Sequence, residues 1–138
     1  MRFLAMVKAS EESESGVMPT EEELAAMGKF NEELVNAGVM RSGEGLTPSS
    51  QGARINYSGG KATVVDGPFT EAKELVAGFW MLEAGSKDEV VSWLKRAPFV
   101  EGEVEIRQIF ELEDFGDALT PELREQEERL RAKSAGSN

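Results

Sequence analysis

The chain has no histidine and no cysteine anywhere in its 138 residues. Those two absences exclude a thiolate nucleophile, a Cys or His metal site, a disulfide framework, a Ser-His-Asp triad and an imidazole base. Catalysis, if present, falls to carboxylates, lysine, arginine, tyrosine or backbone dipoles. Basic residues are also scarce: 15 Lys plus Arg stand against 26 Asp plus Glu, for a formal net charge of −11. Nucleic-acid affinity rests on cations that neutralise phosphates, so neither nucleic acid nor an anionic membrane is expected as a partner. Long apolar runs are missing too. Phe3-Leu4-Ala5-Met6-Val7 is far shorter than the roughly 20 residues of a spanning helix, so no leader or membrane segment is expected. A cytoplasmic location is the simplest expectation, and the lack of cysteine suits it. No cofactor and no dedicated metal are expected either, because Glu11, Glu12 and Glu14 lack the spacing of a calcium loop.

What is present reads as an ordinary folded domain, 40% hydrophobic and 30% charged. Arg2 to Lys8 is predicted as a first strand, followed by a polar, mobile loop from Ala9 to Pro19. Thr20-Glu21-Glu22-Glu23 matches a capping box, and Leu24, Met27, Phe30 and Leu34 then recur at helical spacing. Gly38 stops that helix. Val39 to Leu46 reads as a strand, and Arg54–Tyr57 and Ala62–Val65 as a hairpin around Gly59-Gly60. Asp66-Gly67-Pro68-Phe69 is a turn, and Val76 to Leu82 a strand. Ser86-Lys87-Asp88-Glu89 opens a second helix that Pro98 ends. The pattern from Glu103 to Glu113 alternates as a last strand, with Gln108 interrupting its apolar face. Thr120-Pro121-Glu122 caps a final helix with Glu125/Arg129 and Glu127/Arg131 pairs, and 134–138 is expected to fray.

This order gives an α+β fold: a ferredoxin-like antiparallel sheet with both helices on one face, over residues 1–113, and a C-terminal helical extension over 114–138. Residues 76–82 and 3–7 do not alternate, as strands with one wet face should. They read as covered on both faces, and one small domain has no third layer. A homodimer with sheets packed face to face is therefore expected.

Val65-Asp66-Gly67-Pro68-Phe69-Thr70-Glu71, with Lys73-Glu74 and Gly78-Phe79 after it, resembles the signature of the DGPF-domain branch of YCII-related proteins. Ala37-Gly38-Val39 leading to Gly43-Glu44-Gly45-Leu46 is similar to a second marker of that branch. Pro98-Phe99-Val100 and Glu105-Ile106-Arg107 resemble the closing segment of the wider family. The resemblance implies a dimeric α+β barrel. It also implies that enzymatic relatives use a His on the first helix and an Asp before the Pro-Phe pair. This chain has no His, and Ala97 precedes Pro98, so that mechanism does not carry over.

Asp66 and Glu44 are the candidate catalytic carboxylates, a base and acid if their environments separate their pKa values. The alternatives are that Asp66 bonds backbone N–H groups of its own turn, and that Glu44 pairs with Arg41, Arg54 or Lys73. Arg54, Gly67, Phe69, Glu71, Lys73 and Gln108 are the candidate ligand-binding residues. Gln108 is also expected to need a buried partner, and Tyr57 to pack on its hairpin. The leading expectation is a homodimer that binds a small polar molecule near the DGPF turn. The others are a carboxylate-based isomerase or lyase, and an interaction module acting through the C-terminal helix.

Overall fold

A computed structural model describes residues 1–135. The elements run β1 (Arg2–Lys8), α1 (Glu11–Glu14), α2 (Glu21–Asn36), β2 (Met40–Gly45), β3 (Ala53–Ser58) and β4 (Lys61–Asp66). They continue with β5 (Val76–Glu83), α3 (Lys87–Leu94), β6 (Val104–Gln108) and α4 (Pro121–Ala135). Residues 1–108 form one compact unit and the residues from Ile109 onward a second.

The first unit holds an antiparallel sheet in the order β2-β5-β1-β6, and a separate two-stranded sheet of β3 and β4. With the β3–β4 hairpin set aside, strand order and connections are those of a ferredoxin-like βαββαβ unit. Burial alternates along β1, where Phe3 and Ala5 are buried, and along β5, where Gly78, Trp80 and Leu82 are. Phe3, Ala5, Trp80 and Leu82 meet Phe30 and Leu34 of α2 and Val90 of α3, so both helices cover the same sheet face. Full burial of a Leu or Phe contributes about 1.5–3 kcal/mol, which makes this layer the main source of stability. On the opposite face Leu4, Met6, Phe79 and Met81 are only half-buried.

Local chemistry sets the helix ends. The Thr20 hydroxyl accepts from the Glu23 N–H at 3.1 Å, and the Glu23 carboxylate accepts from the Thr20 N–H at 3.3 Å. Gly38, at φ 73°, takes the left-handed conformation that closes α2. At α3 the expected box is displaced by one residue: Ser86 accepts from the Glu89 N–H, but the Glu89 carboxylate reaches the Gly85 N–H.

Four expectations are corrected. The polar stretch after β1 is not simply a loop, because Ser10 and Ser13 cap each other's backbone N–H groups and start α1. Helix α3 ends at Leu94, before Pro98 acts. Strand β6 stops at Gln108; Leu112–Ala118 instead forms 3₁₀ turns, broken at Gly116 with φ 64°. In α4, Arg131 pairs with Glu127 as expected, but Arg124 with Glu128 makes the second pair in place of Glu125 and Arg129. The helix runs through Ser134 and Ala135, and the rest of the expected frayed end, 136–138, lies outside the described residues. Among the described residues no helix is long and apolar enough to cross a membrane.

Candidate functional site

The Asp66-Gly67-Pro68-Phe69 turn closes the hairpin against the 48–52 turn. The Gly67 N–H donates to the Gly52 carbonyl at 3.0 Å, and the Phe69 N–H to the Ser49 hydroxyl at 2.9 Å. The Ser49 hydroxyl and N–H both donate to the carboxylate of Glu14 at the end of α1. Those bonds, the hydroxyl's first, hold the Glu14 pKa below the ordinary carboxylate value. A Cβ on Gly67 would run into the Ser49 carbonyl oxygen, so close backbone approach requires glycine there. The Arg54 guanidinium lies 3.7 Å above the Phe69 ring.

Immediately after Phe69 the chain lines a cleft of about 760 Å³. One wall is Thr70 to Glu74, the second Lys8 to Glu11, and Gly102 with Glu103 form the third. Backbone bonds stitch these walls together: Ala9 N–H to the Leu75 carbonyl, and Lys8 N–H to the Glu103 carbonyl, each at 2.9 Å. The Glu14–Ser49–Phe69 chain ties α1 to the residue before Thr70, so it braces the first two walls from outside. Lys8 is also paired with Glu105 at 3.2 Å. Bonds from Lys8, and then from Arg107, hold the Glu105 pKa low.

A second hollow of about 240 Å³ lies between β2, β5 and α2. Trp80 and Phe99 meet there edge to face with centroids 6.1 Å apart, and Phe30 meets Trp80 similarly at 5.8 Å. The Trp80 indole N–H donates to Asn31 Oδ1 at 2.9 Å. Gly43 makes room: a Cβ there would come within 2.8 Å of Met40 Cε and 2.9 Å of Trp80 Cδ1.

The structure divides the candidate residues. Glu71 and Lys73 line the larger cleft, Glu44 lines the aromatic hollow, and Asp66 lines neither. Asp66 is exposed at the end of β4 opposite Ala53, and its carboxylate makes no hydrogen bond among the described residues. The turn is held by backbone and by Ser49 instead, which replaces the expected Asp66 cap. Among the described residues Glu44 makes none of its expected ion pairs: Arg41 is taken by Glu83, and Arg54 stacks on Phe69. Gln108 is exposed at the last position of β6, so it needs no buried partner. Tyr57 is exposed rather than packed. Arg107 pairs with Glu105 on its own strand.

Ser49, Glu14, Lys8 and Asn31 escaped sequence reasoning. Only the Ser10-x-x-Ser13 spacing offered a signal, as a cap for the short α1.

A family model described as YCII-related domain matches residues 1–113. An uncharacterised protein of Rhizobium meliloti (strain 1021) is 34% identical over 61 residues, which are 44% of this chain and 49% of that protein. The chain thus spans about half the length of that curated relative. Among solved structures, 5-chloro-2-hydroxyhydroquinone dehydrochlorinase from Burkholderia phenoliruptrix AC1100, in complex with 2,5-dihydroxybenzoquinone, is 21% identical with a TM-score of 0.44. That match covers 80% of this chain and 94% of the dehydrochlorinase.

Proposed function

The chain belongs to the YCII-related domain family, and from that premise we propose that it is a cytoplasmic homodimer binding a small polar molecule in the cleft beside the DGPF turn. The observation that carries this reading is the cleft of about 760 Å³ that opens at Thr70, directly after the turn. Its size falls within the roughly 300–1,000 Å³ of ligand sites. Lys8 and Lys73 line it with Glu11, Glu71, Glu74 and Glu103, and the hydroxyls of Ser10 and Thr70 are near at hand. Carboxylates outnumber ammonium groups, which favours a ligand carrying an amino group as well as hydrogen-bonding oxygens. Dimerisation through the sheet is supported by the half-buried apolar face of Leu4, Met6, Phe79 and Met81.

An acid–base pair of Asp66 and Glu44 draws no support from this arrangement, because the two carboxylates line no common cavity. A thermal-shift panel of small amines and zwitterions tests the binding reading. A true ligand at 100 times its Kd stabilises by about 2.7 kcal/mol. Glu71→Gln with Glu74→Gln should remove that shift while leaving the melting temperature of the free protein near wild type. A panel without a hit, or a hit indifferent to the double variant, rejects the cleft as the site.

A further inference from the structure

The β3–β4 hairpin is fixed at its base and bare along its length. Four contacts fix the base: Gly67 to Gly52, Phe69 to Ser49, Ser49 to Glu14, and Arg54 over Phe69. Beyond it, the register sets Ile55 opposite Val64 and Tyr57 opposite Ala62 on one face. Ile55 is 52% exposed, Val64 62% and Tyr57 78%. The two strands pair only with each other among the described residues. A lone two-stranded hairpin is marginal in water, so an apolar face held out at a set angle calls for a surface to lie against.

We propose that this hairpin is an arm that laps a second copy of the chain, extending the sheet-to-sheet dimer. The inference rests on the homodimer reading and adds a second contact to it. Area argues for that occupant. Four strands of five to eight residues present a face of about 400 Å² at roughly 4.8 Å between strands and 3.4 Å per residue. A stable interface buries about 800 Å² of accessible surface on each partner, so any area beyond the sheet face adds to what holds such a dimer. Each arm offers about 200 Å² by the same spacings. When two arms are exchanged, each protomer buries its own arm and the surface that receives its partner's, which about doubles the footprint of the sheet contact alone.

Charge points the same way. The hairpin carries Arg54 and Lys61 against Asp66, in a chain of formal net charge −11. Neither cation pairs with a carboxylate among the described residues. Both stand on the reverse face from Ile55 and Tyr57, where they act on approach and salt dependence rather than on close packing. Two cations are too few for a nucleic acid or an anionic membrane, whereas a second copy supplies an acidic surface.

The test uses the absence of cysteine. Tyr57→Cys carries a benzophenone photo-cross-linker on full-length protein, which is unfolded in urea and refolded one to one with ¹⁵N-labelled protein of the same kind so that subunits pair at random. The arm predicts cross-linked peptides that pair labelled with unlabelled chain; cross-links confined to one isotope overturn it. Ile55→Glu with Val64→Glu should weaken the dimer at least tenfold by analytical ultracentrifugation, with far-UV circular dichroism unchanged because those residues are exposed in the protomer. A wild-type dimer that this variant leaves intact overturns the arm alone. A monomeric wild type overturns the dimer and the arm together. Should the double variant fail to fold, the cross-linking result decides.

Discussion

The two antiparallel sheets of the first unit are built from the same kind of strand and differ in what covers them. In the four-stranded sheet Phe3 and Ala5 of β1 and Trp80 and Leu82 of β5 are buried against α2 and α3, and Leu82 and Val90 are fully enclosed. In the hairpin not one residue of β3 or β4 is buried. The difference is one of anchoring. The large sheet is held by apolar contact, which is non-directional and grows with area. The hairpin is held at one end by directional bonds among Glu14, Ser49, Gly67 and Phe69, which fix an orientation with little burial. One region obtains its stability from burial, and the other is fixed at its base with its strands left exposed.

Core truncation tests that contrast most strongly. Leu82→Ala should cost about 3 kcal/mol, since it deletes buried methyl groups and leaves a cavity. Val64→Ala in the isolated protomer should stay within about 0.5 kcal/mol. Urea unfolding with unchanged m-values measures both, and equal losses would erase the distinction. Next in size is Gly67→Ala. The new Cβ meets backbone, the Ser49 carbonyl, which cannot swing aside as a side chain would. A loss of about 2 kcal/mol is expected, within the range for overpacking. Full stability in this variant would mean that the hairpin base is not packed as described.

How much of this could be read from the sequence follows the same division. The capping box at Thr20, the glycine end at Gly38, the Gly59-Gly60 hairpin and the two-period of β6 are written in residues close together, and each is legible. The family markers Asp66-Gly67-Pro68-Phe69 and Gly43-Glu44-Gly45 were legible as well. Their physical reasons were not. Gly67 is needed because of Ser49, 18 residues earlier, and Gly43 because of Trp80 on the neighbouring strand. The bond from Ser49 to Glu14 spans 35 residues, a separation over which no periodicity carries information. The turn-holding part that is one of the two expectations for Asp66 is performed by the Ser49 hydroxyl. The end of β6 was missed because alternation continues through Phe110 and Leu112 after the hydrogen-bonded ladder has stopped at Gln108.

A smaller effect belongs to Ser49 itself. Ser49→Ala leaves the half-buried Phe69 N–H without its acceptor, which should cost about 1 kcal/mol. Hydrogen exchange at that amide should accelerate, while amides of β1 and β5 keep their protection. If exchange rises equally in both regions, the hairpin base and the core unfold as one unit and the two modes of anchoring are not separable.

The smallest expected effect is on pH dependence, and its sign is fixed by the same bonds. Ser49 donates to the ionised Glu14 carboxylate, so the folded-state pKa lies below the ordinary 4.5. A depressed carboxylate contributes stability above its unfolded pKa and loses it as pH falls through the folded value. The hairpin base should therefore loosen on the acid side of pH 4.5 while the apolar layer, which has no titrating group among its buried residues, holds. An NMR titration of Glu14 reads this directly. Ser49→Ala should return its pKa toward the ordinary value, and it should remove the acid-side rise in Phe69 exchange. A Glu14 that titrates alike in both proteins would show that Ser49 does not brace the turn in solution, leaving Arg54 over Phe69 and the Gly67–Gly52 bond as its anchors.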